Sequence, residues 1–368
     1  MRIVIDARNL LSTTGRYYER TLHYLQQIDN TNQYCLLLSS AGLKHWGSQD
    51  HPANFTAHKC DIAYFSLSEQ RLLPGIIESF EPDLVHFTFQ QKPLLIKSPY
   101  ILTVFDLTQL NFDNIKPGSN KLIWKSKQKI LAASFKKNIK NAKHIITASK
   151  YVADEISTKY KVNASKISAV YGGSELTKTT PKPIQKLVGA KYILYVGNAY
   201  AHKNINRLVD AYQILIARSP ELKLVIAGKI DVFHQQLIDY AKSKDLEGFT
   251  HLGFISDEEL AWAYSNAAAY IMPSLSEGLG MPGLEAMSYD CPVVSSKATC
   301  SPEIYQDAAY YFDPLDIKDM AEKISEVISN KDLQKKLVEN GQKLLKKYDY
   351  KITAQKTLES YNKVSAEL

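Results

Sequence analysis

The chain has 368 residues, 45% of them hydrophobic, which is enough for two ordinary cores and argues against disorder. Its formal charge is +7, yet no zinc-finger, helix-turn-helix or RNP-like aromatic pattern accompanies the basic residues, so nucleic acid is not an expected partner. No run approaches the roughly 18 uninterrupted apolar residues of a membrane span, and the opening MRIVIDARNLL, broken by Asp6, reads as a strand and not as a signal peptide. Cys35, Cys60, Cys291 and Cys300 lack metal or CxxC spacing and read as buried free thiols in a cytoplasmic protein.

Strands and helices alternate from the start. Ile3–Asp6 reads as a strand and Gly15–Gln27 as a helix carrying Tyr18, Leu22 and Leu25 on one face. Tyr34–Ser39, Asp83–Thr88 and Tyr100–Phe105 are short apolar strands. Between Lys116 and Lys143 stand nine lysines and no acidic residue. Leu122, Ile123, Trp124, Ile130, Leu131, Phe135 and Ile139 recur there at helical spacing. The segment is either a solvated lysine face over a core stripe or a docking surface for anionic lipid. His144–Ala148 is a strand, Ser149 an N-cap for the helix Lys150–Lys159, and Ile167–Tyr171 a further strand.

From Ser174 to Gly189 the pattern lapses into threonines and prolines, which suits a linker. A second series follows: strands at Tyr192–Val196, Lys223–Ala227 and Thr250–Leu252, and helices at Asn206–Arg218, Val232–Lys242 and Asp257–Asn266. Strands separated by helices argue for parallel, doubly wound sheets. The expected division is 1–175, a linker at 176–190, a second domain at 191–349 and a closing helix at 350–368.

The densest chemistry lies in Pro273–Met287, PSLSEGLGMPGLEAM. An apolar strand, Ala267–Met272, runs into a glycine-rich loop, and a helix opens at Gly283. Free amides and the positive end of a helix suit phosphate. Glu277 and Glu285, eight positions apart, suit hydroxyl groups. Gly278–Gly283 also spells G-x-G-x-x-G, but no acid follows the next strand, Pro292–Ser296, so a dinucleotide site is not supported.

This loop resembles the E-x7-E signature of the retaining, nucleotide-sugar-dependent glycosyltransferases of family 4. The match extends to the flanking Pro273-Ser274, to Leu284-Glu285-Ala286-Met287, to Pro292-Val293-Val294-Ser295 and to Pro302-Glu303. The resemblance implies a GT-B fold: two Rossmann-like α/β domains with a cleft between them and a C-terminal helix, here YDYKITAQKTLESYNKV, crossing back to the first. It also implies roles. Glu277 serves hydroxyls of the transferred sugar, Glu285 those of the ribose, and Gly278, Leu279, Gly280 and Met281 hold phosphate and sugar oxygens through the backbone. In Val196-Gly197-Asn198-Ala199-Tyr200-Ala201-His202-Lys203, Lys203 stabilises the departing diphosphate. Asn198 stands where members usually carry an arginine, His202 adjoins the lysine, and Arg207 is a candidate second cation. Ile255 matches the segment that reads the base. In the first domain the resemblance places Gly15 and Arg16 of Ser12-Thr13-Thr14-Gly15-Arg16 near the donor phosphate, and Asp106 as the orienting carboxylate. Phe105 replaces the family histidine.

The expected reaction moves a hexose from a donor such as GDP-mannose or a UDP-hexose to a lipid-linked or polysaccharide acceptor. No Asp-x-Asp occurs, so neither a metal nor any other cofactor is expected. The implied place is the cytoplasm, or the inner face of a membrane contacted through Lys116–Lys143. A sugar-nucleotide epimerase and a catalytically silent scaffold of the same fold are the alternatives.

Overall fold

The computed structural model describes residues 1–12, 14–112, 115, 120–173 and 179–368. Thr13 of the first glycine loop, Lys116 of the lysine-rich run, and Ser174 with residues 176–178 of the expected linker lie outside the described residues.

The first sheet contains β1 (Arg2–Asp6), β2 (Gln33–Leu38), β3 (Phe55–Lys59), β4 (Leu84–Phe87), β5 (Tyr100–Val104), β6 (His144–Thr147) and β7 (Ile167–Ala169), in the order β3-β2-β1-β4-β5-β6-β7. The second contains β8 (Tyr192–Val196), β9 (Lys223–Ala227), β10 (Phe249–His251), β11 (Ala269–Met272), β12 (Val293–Ser296) and β13 (Ala309–Phe312), in the order β10-β9-β8-β11-β12-β13. Every pairing is parallel, with Ile3 opposite Tyr34 and Leu84, and Ile193 opposite Leu224 and Ala269. Parallel sheets are covered on both faces, which is why their strands read as continuous apolar runs. Strand order reverses between β1 and β4, and again between β8 and β11. Loops at the carboxyl ends of those strands are where open α/β sheets bind ligands.

Two compact units result. One comprises residues 1–107, 125–173 and 348–368, the other 108–124 and 174–347. In the first unit, the helix Tyr350–Ser365 packs on the helix Gly15–Ile28, and Thr353 Oγ1 donates to the carbonyl of Tyr171 at 2.7 Å. In the second, Ile193, Leu224, Ile226, Ile271 and Val294 form the sheet's share of a core closed by Leu208, Tyr212, Met320 and Ile324. All four cysteines are buried free thiols. No described helix is long and apolar enough to cross a membrane.

The lysine-rich run forms one helix, Lys121–Asn141, but its core stripe is shorter than its periodicity suggests. Only Phe135, Asn138 and Ile139 are buried, whereas Leu122, Ile123 and Ile130 are 77%, 57% and 70% exposed. The C-terminal turns alone pack on the first sheet's core. Apolar spacing identified the helix but not which of its turns meet a partner.

Candidate active site

In the second unit the loops after β8 and β11 carry the expected donor residues. Lys203 closes a short turn, Ala201–Lys203, and Asn204 follows with φ 59°, capping the helix Ile205–Ile216. Asn204 holds the two loops together: Nδ2 donates to the carbonyls of Pro273 at 3.0 Å and Pro314 at 2.8 Å. The Leu275 amide also donates to the His202 carbonyl at 2.7 Å. Lys203 is thereby brought to Glu277, with Nζ 2.7 Å from Oε1, and their side chains are 17% and 13% exposed.

Glu277 is fixed from three sides. Ser274 Oγ donates to Oε1 at 2.6 Å, Lys203 donates to the same oxygen, and the Glu277 amide donates to Thr299 Oγ1 at 3.0 Å. Burial alone would raise this carboxyl; Lys203 and Ser274 outweigh it and hold the group below the ordinary carboxylate range. His202 is buried, its Nδ1 has no partner among the described residues, and burial with Lys203 alongside pushes its pKa down to about 4.

Gly280 adopts φ 73° and caps the helix Met281–Ser288, which opens at Met281, two residues before the expected Gly283. Gly280 and Gly283 both lie against Tyr305: a Cβ on either would come within 2.3 and 2.4 Å of its hydroxyl. Tyr305 Oη donates to the Gly280 carbonyl and, at 3.0 Å, to Met272 Sδ. The amides of Gly278, Leu279, Gly280 and Met281 find no acceptor among the described residues. This run of amides at a helix N-terminus suits an anion.

Glu285 stands half-buried on that helix, with Tyr264 Oη 3.5 Å from Oε2. Ile255 is half-buried just before Ser256, which makes a capping box with Glu259. Asn198 is exposed; its carbonyl accepts from Tyr195 Oη at 2.7 Å. Arg207 turns to Asn204, with Nη1 2.8 Å from Oδ1.

In the first unit, Gly15 opens its helix against the chain before it. A Cβ there would fall 1.9 Å from the Asn9 carbonyl oxygen, so only glycine fits. Arg16 follows, exposed, and Asp106 lies half-buried just beyond β5. Phe105 is buried edge-on against Tyr17, with ring centroids 5.2 Å apart, and its side chain serves the core. Among the described residues, no three His, Cys, Asp or Glu side chains group to hold a metal.

Residues 177–344 match the family model for glycosyl transferases group 1, and residues 45–178 match that for Glycosyltransferase Family 4. The chain belongs to the group 1, family 4 glycosyltransferases. It is 32% identical over 192 residues to the O-antigen chain mannosyltransferase RfbU of Salmonella typhimurium, covering 50% of either chain. It is 28% identical over 247 residues to the O-antigen chain mannosyltransferase B of Escherichia coli, covering 64% of this chain and 65% of that one. The chain thus spans between half and two thirds of the length of these curated relatives. Its GT-B fold is shared with Anabaena Alr3699/HepE, solved in complex with UDP and glucose, at TM-score 0.74 and 16% identity over 99% of this chain and all of that one.

Sequence reasoning on this family 4 chain missed Thr299 and Tyr305, which steady Glu277 and Gly280 from the segment after β12. Neither lies in the glycine loop, so no local spacing reveals them. It also missed a buried cluster after β1. Arg8 grips Asp6 through Nε and Nη2, both at 2.7 Å, and Glu69 through Nη2 at 2.8 Å. Its Cζ sits 4.1 Å from the Tyr64 ring centroid.

Proposed function

We propose that the chain is a retaining hexosyltransferase, moving a mannose-like or glucose-like unit from a nucleoside-diphosphate sugar to a hydroxyl of a lipid-linked glycan or polysaccharide. The observation that carries this reading is the pairing of Lys203 with Glu277 beside the unpartnered amides of Gly278–Met281. Ammonium and amides together offer positive potential for a diphosphate, and a held carboxylate beside them offers an acceptor for sugar hydroxyls. When the donor binds, Lys203 shares its charge with the diphosphate and Glu277 accepts from the sugar. Glu285 takes the ribose hydroxyls.

The carbon–oxygen bond to the diphosphate then breaks, and the acceptor oxygen bonds to the anomeric carbon on the same face. A phosphate oxygen of the leaving group receives the acceptor's proton. Lys203 and the helix end supply the stabilisation that a metal provides elsewhere, so the reaction runs without one. The two O-antigen relatives carry mannosyltransferase names, which favours a mannose donor such as GDP-mannose and an acceptor of the O-antigen kind.

Calorimetric titration with GDP, GDP-mannose, UDP and UDP-glucose in EDTA tests the assignment. One nucleotide series should bind, and Lys203→Met and Glu285→Gln should each weaken it. Failure of every nucleotide to bind would sink the reading in favour of a silent scaffold of the same fold.

A further inference from the structure

The first unit holds a basic cavity away from the carboxyl ends of its strands. It opens at the start of β5, beside the last turns of the helix Lys121–Asn141, and measures about 250 Å³. Lys92, Lys97, Lys137 and Lys143 line it together with Ser98 and Asn138. No carboxylate lines it among the described residues. Glu78, which bonds the lining residue Ser98 through Oγ at 2.7 Å, is occupied by that hydroxyl and by the amides of Lys97 and Ser98.

Two buried groups in this cavity lack the partners that burial demands. Asn138 is 1% exposed, and neither its Oδ1 nor its Nδ2 has a hydrogen-bond partner among the described residues. An orphaned buried amide is destabilising and calls for a ligand or water to satisfy it. Lys92 is 3% exposed. Among the described residues its ammonium reaches only the Pro93 carbonyl, at 2.7 Å, and the face of Tyr100, at 4.5 Å. Burial, with Lys137 nearby, pushes its pKa down to about 8. A buried ammonium among other lysines and without a counter-ion is unfavourable until an anion arrives.

We propose that this cavity binds a phosphate ester. The lysines supply charge, while Asn138 Nδ2 supplies a directed donor. The ester has two sources, a phospholipid headgroup or a soluble sugar or glycerol phosphate. Leu94 and Leu95, next in the chain to Lys92 and Pro93, are 42% and 71% exposed and suit a headgroup carrying acyl chains.

The test is titration of the full chain with glycerol 1-phosphate at fixed ionic strength, followed calorimetrically. Lys137→Gln and Lys143→Gln, both at the rim, should each weaken binding by about tenfold, the worth of one charge-assisted hydrogen bond. Lys203→Met should leave it unchanged. No binding, or binding lost in Lys203→Met but intact in the rim variants, overturns the proposal. Cosedimentation with phosphatidylglycerol and phosphatidylcholine vesicles separates the sources. Phosphatidylglycerol binding that falls in Lys137→Gln and is competed by glycerol phosphate assigns the headgroup. Glycerol phosphate binding without any vesicle dependence on Lys137 assigns the soluble ester.

Discussion

Each sheet sends a basic side chain from the loop after a strand at its order reversal, Arg8 after β1 and Lys203 after β8, to carboxylates held elsewhere, and the two use that pairing in opposite ways. After β1, Arg8 is sealed between Asp6 and Glu69, with all three side chains at most 2% exposed. After β8, Lys203 meets Glu277 at 2.7 Å with both side chains still reached by solvent, at 17% and 13%. The sealed cluster has two acids for one base and every Arg8 donor group engaged, so it has nothing left to offer a ligand. It anchors loops. The open pair keeps donors unused and lies beside unpartnered amides, so it can exchange partners. Charge alone does not mark a site; solvent access and spare hydrogen-bonding capacity do.

The comparison can be broken most forcefully at Lys203. Lys203→Met should lower sugar transfer by about 10²–10³-fold, the usual effect of removing one donor from a transition-state anion, with little change in melting temperature. Equal losses of activity and stability would make the open pair a structural one. Arg8→Met should do the reverse. It leaves two buried acids without a base, and breaking such a cluster costs about 3–5 kcal/mol, readable by chemical denaturation.

A third test uses acid. Burial in the first unit holds the His86 pKa down at about 3, from an ordinary 6.5, while Tyr361 Oη and Thr103 Oγ1 bond its two ring nitrogens at 2.7 and 2.9 Å. The unfolded chain therefore takes up the proton first. Stability should fall as pH drops from about 6.5 toward about 3, by a few kcal/mol in order of magnitude. His86→Gln should flatten part of that slope in pH-dependent urea melts; an unchanged slope would reject His86 as a source of it. The smallest effect belongs to Asn198→Arg. Asn198 is exposed, so stability should move by no more than about 0.5 kcal/mol. Nucleotide affinity should rise a fewfold in the same titrations, because a cation is restored where family members usually carry one.

The legible parts of this molecule were those written in one segment. The glycine loop, its helix and the strands around them occupy contiguous sequence, and their spacing carries their geometry. β3 (Phe55–Lys59) escaped notice because it is an edge strand with exposed, polar alternate positions. β13 (Ala309–Phe312), at the other sheet's edge, is only four residues long. Thr299, Tyr305 and Glu69 act on residues of other loops, and the fold alone brings them there. The lysine helix teaches the same point from the other side: its apolar period runs the whole length, yet only its last turns are covered.

The helix Tyr350–Ser365 carries a consequence for how the protein is made. Tyr361 and Ala354 are fully buried in the first unit, and Tyr361 bonds His86, 275 positions earlier. Synthesis proceeds from the N-terminus, and domains generally fold as they emerge. The second unit's sheet, complete by Phe312, precedes that helix out of the ribosome. The unit begun first is thus finished last, and until its closing helix docks, the faces of Tyr18 and His86 wait uncovered.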